Sequence, residues 1–561
     1  MSSAKSNLIT PKLYQQDKAL MAEDAMSKMP HLHKVYATYT ARCKKAGAMD
    51  FDDLLYRLYE LLQSNEEVLA RYREKFRYVL VDEFQDTNHL QYAIVRKLVQ
   101  YDGSPRNICV VGDDAQSIYA FRGATIQNIL DFEQDFAKHG IQVFKLEQNY
   151  RSTEHIVQAA NEIITYNRRQ IPKHIWSDKG AGQRINVIKA VSDAEEGKRI
   201  ADTIVEQKNR YHLSNKEIAI LYRTNAQSRV FEEYLRRYNV QYRVYGGMSF
   251  YQRKEVKDLI AYLRVVVNAK DEEALRRIIN FPKRAIGDTT VEAILDLANQ
   301  HNISMWEALE QYQASPRTQS NIDAFKQLIQ SARKKLDTAN AYDIASMIAK
   351  KSGLEAFYKK DNSIEGISRQ ENFESLLNGI QSFVSDEDLF SDPEGTRDKS
   401  LGAYLQNIAL LTDMDEKDPE QADNITLMSV HAAKGLEFKS VFVTGLEEKL
   451  FPSFMSMDSP DGLDEERRLF YVAITRAEQF LTLSYANSRY KFGKSVFNEP
   501  SRFLKEVPLQ HLDDSANLSA ASSRARTPIE PAARISGHFG KSRFPPIRRG
   551  GCRKFPAQPY R

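Results

Sequence analysis

Cysteine is scarce in this chain, which has three in 561 residues. Cys43, Cys109 and Cys552 are far apart in sequence, and none belongs to a C-x-x-C pair. This spacing argues against a disulfide framework and against a zinc or iron–sulfur site. Cys109 lies in an apolar run of strand length, so we predict that its side chain packs in a core.

Long apolar runs are missing as well. No run approaches the roughly 18 residues that span a bilayer, and no charged-then-apolar leader opens the chain. We therefore expect a cytoplasmic protein. The hydrophobic content of 42% is ample for buried cores, and the length is enough for several domains.

The net charge is small, +4, but it is unevenly distributed. Residues 515–561 carry +9, from ten Lys and Arg residues against the single acid Glu530, which leaves −5 for the preceding 514 residues. The segment 509–561 is rich in Ser, Ala, Pro and Gly and is predicted to be a disordered basic tail. Such an arm would add salt-sensitive DNA affinity. A solvated tail or a linker remnant is the alternative.

A short apolar run that ends in carboxylates is the strongest chemical signal. Residues 79–81 are followed directly by Asp82 and Glu83. An Asp at the carboxyl end of a buried strand can hold Mg²⁺ through water, and a neighbouring Glu can polarise a water aimed at a phosphate. The pattern indicates nucleotide hydrolysis, although acidic pairs also occur in solvated turns.

Two more strand-like runs, 108–111 and 143–146, also end in polar clusters. Leu90, Ile94 and Leu98 recur at helical spacing between the first two runs, which predicts a βαβ unit. Ligands of such folds bind at the carboxyl ends of the strands. All three clusters fall at such ends.

Six segments with characteristic content follow one another along the chain. They are, in order, VDEFQDTN at 81–88, GDDAQSIYAFRGA at 112–124, QNYRS at 148–152, YGGMSFYQRKEVKD at 245–258, VHAAKGLEF at 430–438 and EERRLFYVAITRAE at 465–478. They resemble the Walker B box and motifs III, IV, IVa, V and VI of superfamily 1A DNA helicases of the UvrD/Rep/PcrA type. Any one could arise by chance in an unrelated α/β enzyme, but six in this order favour the helicase family.

The resemblance implies an α/β fold with two RecA-like (P-loop NTPase-type) domains, the first truncated. The expected organisation is a helical remnant of subdomain 1B at 1–48, a partial first RecA-like domain (1A) at 49–145, a second RecA-like domain (2A) split into 146–247 and 424–508, a largely helical insertion (2B) at 248–423, and the tail at 509–561. Further strands are predicted at 218–222, 241–245, 425–428, 441–444 and 480–484.

ATP and Mg²⁺ are the cofactors that the resemblance implies. Asp82 would hold Mg²⁺ through water, and Glu83 would polarise the attacking water. Gln116 would sense the γ-phosphate, while Arg151 and Arg476 would stabilise the charge that develops on it.

Two more residues would hold the nucleoside. Tyr150 would stack on the adenine, and Glu437 would accept a hydrogen bond from the ribose. The alternatives are a core role for the tyrosine and solvated positions for the charged residues.

Single-stranded and duplex DNA are the expected partners. Aromatic side chains that stack on bases tolerate any sequence, and the resemblance gives this role to Phe121, with Tyr119, Arg122 and His431 beside it. Ordinary packing is the alternative for these rings. In the insertion, the loop IGDTT, which contains Gly287 and Thr289, resembles a hairpin that contacts duplex phosphates, but Ala285 stands where glycine is usual.

The chain departs from the family at the phosphate loop, because it contains no G-x-x-x-x-G-K-[ST] sequence. Two Gly-Lys-Ser tripeptides, 493–495 and 540–542, lack the earlier glycine, which is replaced by Ser488 and Ile535 respectively. The amino-terminal Walker A segment is therefore expected to be missing.

The expectation is thus a 3′-to-5′ ATP-dependent DNA helicase of replication or repair that is impaired on its own. A non-catalytic DNA-binding protein is one alternative. The carboxy-terminal part of a split helicase, with a separately encoded amino-terminal fragment, and a start at an internal Met are the others. Nucleoid association would follow from DNA binding.

Overall fold

The computed structural model describes residues 1–27, 29–385, 398–412, 423–457, 459–491 and 494–513. Nearly all of the predicted basic tail lies outside the described residues. Its first five residues, 509–513, are ordered instead: residues 509–511 form a 3-10 helix, and His511 is buried.

Helices and strands alternate irregularly along the chain. The helices are Ser2–Ser6 (α1), Pro11–Gln16 (α2), Lys18–Met26 (α3), Leu32–Lys45 (α4), Phe51–Ser64 (α5), Glu66–Lys75 (α6), His89–Val99 (α7), Gln127–Phe136 (α8), Glu154–Ile164 (α9), Asp193–Tyr211 (α10), Ser228–Arg237 (α11), Lys254–Val267 (α12), Glu272–Ile278 (α13), Asp288–His301 (α14), Met305–Gln311 (α15), Pro316–Arg333 (α16), Ala341–Lys351 (α17), Leu354–Lys359 (α18), Ile364–Ser385 (α19), Leu401–Thr412 (α20), Pro460–Ile474 (α21) and Arg502–Glu506 (α22). The strands are Val79–Val81 (β1), Ile108–Val110 (β2), Gln148–Asn149 (β3), Trp176–Ser177 (β4), Asn186–Ser192 (β5), Ile218–Tyr222 (β6), Tyr242–Val244 (β7), Ile425–Ser429 (β8), Phe438–Val443 (β9), Ala477–Lys491 (β10) and Lys494–Phe497 (β11).

A buried lysine in α1 links this helix to the start of α5. Helix α5 begins at a capping box, in which Asp50 accepts the Asp53 N–H at 2.8 Å. Lys5 of α1 is 2% exposed and its Nζ lies 2.7 Å from Asp50 and 2.8 Å from Asp53. Because the two carboxylates offset its charge, α1 is held against the start of α5.

The predicted βαβ unit is confirmed. Strands β1 and β2 pair in parallel, and α7 connects them with Leu90 and Ile94 buried. The predicted third strand at 143–146 is wrong, because this segment forms no strand and its apolar side chains are exposed. The short strand β3 begins two residues later and pairs with β4.

Cys109 also corrects a prediction. It lies in β2 as expected, but its side chain is exposed and not in a core. The two-stranded sheet of β1 and β2 leaves this face uncovered, and Leu80 of β1 is 78% exposed beside its register partner Cys109.

A seven-stranded sheet forms the second α/β part. Its order is β11-β10-β9-β6-β8-β7, with β5 on β10, and every pairing is parallel except β10 with β11. All five residues of β6 are buried, as expected of a central parallel strand covered on both faces. The five predicted strands at 218–222, 241–245, 425–428, 441–444 and 480–484 coincide with or overlap β6, β7, β8, β9 and β10, so those predictions are confirmed, as is the α/β fold class.

In its described residues, the insertion between β7 and β8 contains helices and connecting loops but no strand. Helices α12 to α20 share one apolar core that includes Tyr262, Phe325 and Phe373. In the described part of the chain, no helix is long and apolar enough to cross a membrane.

Candidate functional site

Two carboxylates follow β1 at its carboxyl end, as predicted. Glu83 has a left-handed backbone with φ of 49°, a strained conformation that is concentrated at functional sites. The Asp82 carboxylate accepts the Glu83 N–H at 2.8 Å, and the buried Gln85 side chain donates to Glu83 at 2.5 Å. Both carboxylates are exposed and open to a ligand.

Asp82 suits Mg²⁺ chemically. This ion is usually bound by one or two carboxylates together with substrate phosphates, with water completing its shell. Among the described residues there is no cluster of three or more His, Cys, Asp or Glu side chains that could hold a metal by itself. A metal at Asp82 would therefore depend on a phosphate ligand.

Lys434 reaches the same place from a distant part of the chain. Its Nζ lies 3.2 Å from Glu83 and 2.5 Å from Asp86, and it donates to the backbone oxygen of Gln116 at 2.9 Å. Burial raises the pKa of the Asp86 carboxyl, and Lys434 acts in the opposite direction. Sequence reasoning missed this lysine, although it lies within the segment VHAAKGLEF.

Gln116 lies in a short 3-10 helix after β2, where its side chain is fixed. Its Nε2 donates to Asp113 at 2.8 Å. Asp113 and the buried Asp114 both pair with Lys173, and the Lys173 Nζ is 2.9 Å from Asp114. The two carboxylates raise the pKa of Lys173 against the effect of its burial. Lys173 was not predicted, because nothing in the sequence links it to residues about 60 positions earlier.

Arg151 and Arg476 lie close together. Arg151 bonds to Glu437 at 2.6 Å and to the Thr475 carbonyl at 3.1 Å. Arg476 is 2% exposed and donates to two backbone carbonyls and the Thr475 hydroxyl. Burial, followed by the charge of Arg151, lowers the pKa of Arg476 to about 10. In the described part of the chain Arg476 has no acidic partner within 4.0 Å, so its charge is available to an anion.

The two residues predicted to hold the nucleoside both lie near Arg151, one as its neighbour in sequence and the other as a hydrogen-bond partner. Tyr150 precedes it in sequence, is 71% exposed, and donates its hydroxyl to Gln148 at 2.8 Å. The ring is therefore free to stack. Glu437 accepts from Arg151, so a ribose would share this carboxylate with the guanidinium.

The four residues predicted near DNA bases form one cluster. The rings of Phe121 and His431 meet edge to face at 5.3 Å, and Tyr119 lies 6.0 Å from Phe121. The Arg122 guanidinium lies over both Tyr119 and Phe121, at 5.3 and 5.5 Å. Phe121 is 57% exposed. Burial, followed by the charge of Arg223, lowers the pKa of His431 to about 4, so the imidazole is neutral at pH 7.

Residues 116–121 connect Gln116 to the aromatic cluster, and side chains of helix α21 bond to the backbone of this segment. The Glu465 carboxylate accepts the Ala120 N–H at 3.1 Å, and Arg468 donates to the Ser117 carbonyl at 3.0 Å. The Tyr119 hydroxyl donates to the His431 carbonyl at 3.3 Å. Residues 116–121 are therefore held on both sides by the later part of the chain, and Glu465 and Arg468 join the functional residues that sequence reasoning missed.

The predicted loop with Gly287 and Thr289 is in part helical, because Thr289 lies in the first turn of α14. Gly287 caps α14, and Ile286 is fully buried. The Asn280 side chain accepts the Arg284 and Ile286 N–H groups, which fixes the loop within the insertion. Ala285 has a φ of 56°, a left-handed conformation that favours glycine.

Comparisons with known proteins agree with the geometry. Residues 1–137 match the model of the UvrD/REP helicase N-terminal domain, and residues 144–488 match that of the UvrD-like helicase C-terminal domain. The chain is 40% identical over 549 residues to an "ATP-dependent DNA helicase PcrA" of Staphylococcus epidermidis, covering 96% of this chain and 71% of that protein. A protein of the same description from Staphylococcus aureus is 40% identical over 539 residues, covering 95% and 70%.

The first of these matches bears on the expected missing segment. The N-terminal domain model matches from residue 1 onwards. The comparison therefore gives no support to the expectation that an amino-terminal segment is missing, nor to a separately encoded fragment.

Proposed function

This chain belongs to the family of UvrD-like helicases, and we propose that it is an ATP-dependent DNA motor that moves 3′ to 5′ along a single strand and unwinds duplex DNA during replication or repair. The observation that carries the proposal is that one short segment, fixed by hydrogen bonds, connects the carboxylates near Gln116 to the aromatic cluster. Gln116, beside the carboxylates, and Phe121, in the aromatic cluster, are five residues apart on one segment held by Lys434, Glu465 and Arg468.

ATP would bind between the two α/β parts, which we assign as the RecA-like domains 1A and 2A, with the helical insertion as 2B. Asp82 would hold Mg²⁺, which neutralises phosphate charge when bound. Arg151 and Arg476 would face the γ-phosphate, where a guanidinium stabilises charge that develops in a loose transition state. The unpaired charge of Arg476 supports this role.

Glu83 would orient the attacking water, and Lys434 restrains it in the structure described here. A carboxylate that is ion-paired at 3.2 Å is a weaker hydrogen-bond acceptor for water. We expect the contact between Lys434 and Glu83 to lengthen during catalysis, which would free this carboxylate oxygen for water. Because Lys434 also donates to the backbone oxygen of Gln116, a movement of Lys434 would also shift the segment that carries Phe121.

DNA bases would stack at the exposed ring of Phe121, with Tyr119, Arg122 and His431 completing the surface. Gly287 and Thr289, at the start of α14, would contact the phosphates of the duplex. Binding to chromosomal DNA would place the protein at the nucleoid.

The 561 residues contain no phosphate-loop sequence, whose backbone N–H groups and lysine ordinarily cradle the β- and γ-phosphates. We infer that ATP hydrolysis by this polypeptide alone is slow. This absence also favours a second candidate function, a non-catalytic DNA-binding protein.

The test is the ATPase rate of the purified chain with and without single-stranded DNA, beside strand separation on duplexes with 3′ or 5′ tails. We expect DNA binding, hydrolysis close to background, and a 3′-tail preference for any unwinding. Brisk hydrolysis that Glu83→Gln abolishes would contradict the slow rate but support the motor. Hydrolysis that Glu83→Gln leaves unchanged, or unwinding from 5′ tails, would contradict the motor itself.

A further inference from the structure

A cavity of about 270 Å³ lies at the amino-terminal edge of the β1 and β2 sheet. Its walls come from residues 73–78, which precede β1, from the end of α7, and from residues 101–107, which lead into β2. Because β1 and β2 are parallel, this edge is opposite the one that carries Asp82, Glu83 and Gln116. The cavity is thus separate from the site described above.

Three arginines, Arg73, Arg77 and Arg106, line this cavity. Within the part of the chain that the structure describes, none of them forms an ion pair, and the Nε of Arg106 is buried without an acceptor. Arg106 also has a left-handed backbone, with φ of 51°. Glu74 is the one acid in the lining. Unpaired guanidinium groups around a concave surface attract a phosphate or a carboxylate.

Aromatic rings line the same cavity beside the arginines. Phe76, Tyr78 and Tyr101 line the cavity, with Phe76 43% and Tyr78 72% exposed. The Arg73 guanidinium lies 4.1 Å from the centre of the Tyr101 ring, which joins the two into one stacked surface. Leu98 and the buried Val99 provide apolar contact.

The local sequence shows the same combination. Residues 71–78 read RYREKFRY, in which basic and aromatic residues interleave. This pattern is typical of surfaces that bind single-stranded nucleic acid, where cations follow the backbone and rings stack on the bases. An acidic peptide would match the charges of the arginines, but most of its side chains would not stack on the aromatic rings.

We propose that this cavity is a second binding site for single-stranded nucleic acid, which binds one nucleotide with its base against the rings and its phosphate against Arg77 and Arg106. The volume is near the lower end for small-ligand pockets and suits one nucleotide unit. The site does not depend on ATP or on the proposed motor, since none of its residues takes part in them.

The test is photocrosslinking of the full chain to a short oligonucleotide that carries 5-iodouracil, followed by mass spectrometry of the peptides. Crosslinks to a peptide that contains Tyr78 or Tyr101 are expected, in addition to crosslinks near Phe121. Arg77→Gln should lower the cavity crosslink at least about five-fold and leave the Phe121 crosslink unchanged. Arg106→Gln provides a second variant at the cavity.

Arg71→Gln is the matched control, because Arg71 is exposed on α6, outside the cavity lining, and its loss removes the same charge. It should leave both crosslinks unchanged. Crosslinks near Phe121 without any at the cavity would overturn the proposal, as would an equal loss in Arg71→Gln and Arg77→Gln. An acidic, tyrosine-containing peptide that binds the cavity while the oligonucleotide does not would overturn the assignment to nucleic acid. Failure of the motor assays would leave these outcomes unaffected.

Discussion

Arg476 illustrates how a single residue can reveal a ligand. Two other buried arginines have acidic partners: Arg229 lies 2.9 Å from Glu233, and Arg467 lies 2.8 Å from Glu506. Arg476 is 2% exposed, and among the described residues it bonds to carbonyl and hydroxyl oxygens alone. Burial lowers its pKa to about 10. Burying an unpaired charge costs free energy, so the position is best explained by an anion that binds beside it.

His431 makes stability depend on pH. Its folded pKa, about 4, is below the ordinary value of 6.5. The unfolded chain therefore binds a proton more readily, and the stabilisation is fully present above pH 6.5 and is lost as the pH falls towards 4. We expect His431 to account for a loss of about 1 to 2 kcal/mol in the free energy of unfolding between pH 7 and pH 5.

Urea unfolding of the native chain and of His431→Asn at both pH values measures this term. The variant should lose less stability than the native chain over the interval. His511, whose pKa is also lowered by burial, is present in both proteins and cancels. An identical loss in the two would show that His431 is not held neutral.

Sequence reasoning found part of the candidate site, although it missed Lys434, Glu465 and Arg468 within the recognised segments. Phe121, His431, Arg151 and Arg476 could be singled out because each lies in a segment of characteristic content, and the structure places them in two groups. Lys173 could not, because its partners Asp113 and Asp114 are distant in sequence and only the folded chain brings them together.

The segment between α9 and β4 depends on Lys173, which is partly buried. Lys173→Met leaves Asp113 and Asp114 without their cation, and breaking this partly buried pair from one side costs up to about 3 kcal/mol. The Ile171 N–H, which donates to Asp114 at 2.9 Å, should open with it. We expect faster amide hydrogen exchange in residues 112–118 and 168–175.

Lys189→Met is the control for this prediction, because Lys189 is exposed on β5 and forms no ion pair within the described ranges. Exchange in both segments should match the native chain. Unchanged exchange in Lys173→Met would mean that the pair does not hold the segment.

Strands were predictable where burial produces a continuous apolar run, as in β6, whose predicted and observed ends agree. The run at 143–146 is also mostly apolar but forms no strand, because hydrogen bonding to a neighbouring strand decides this and not composition alone. The structure gives Val143, Phe144 and Leu146 exposures of 56, 80 and 85%. Strand β5, which pairs with β10, was missed because polar residues interrupt it.

The charge distribution of the whole chain predicts how it binds DNA. Residues 515–561 carry +9 while the rest carries −5. If three or four of the tail cations contact phosphates, deleting this segment should reduce the slope of log affinity against log salt by about 2 to 3 on single strands. Fluorescence anisotropy at several salt concentrations measures the slope. An unchanged slope would indicate that the tail does not contact DNA.

The central claim is that nucleotide and DNA act on each other through residues 116–121. Linkage is reciprocal, so the most direct measurement is the affinity for a single-stranded oligonucleotide with and without a saturating Mg²⁺ complex of a non-hydrolysable ATP analogue. We predict that the analogue changes the affinity of the native chain at least about five-fold and that Arg476→Ala abolishes the change. The same affinity with and without the analogue in the native chain, or an undiminished change in Arg476→Ala, would contradict the account.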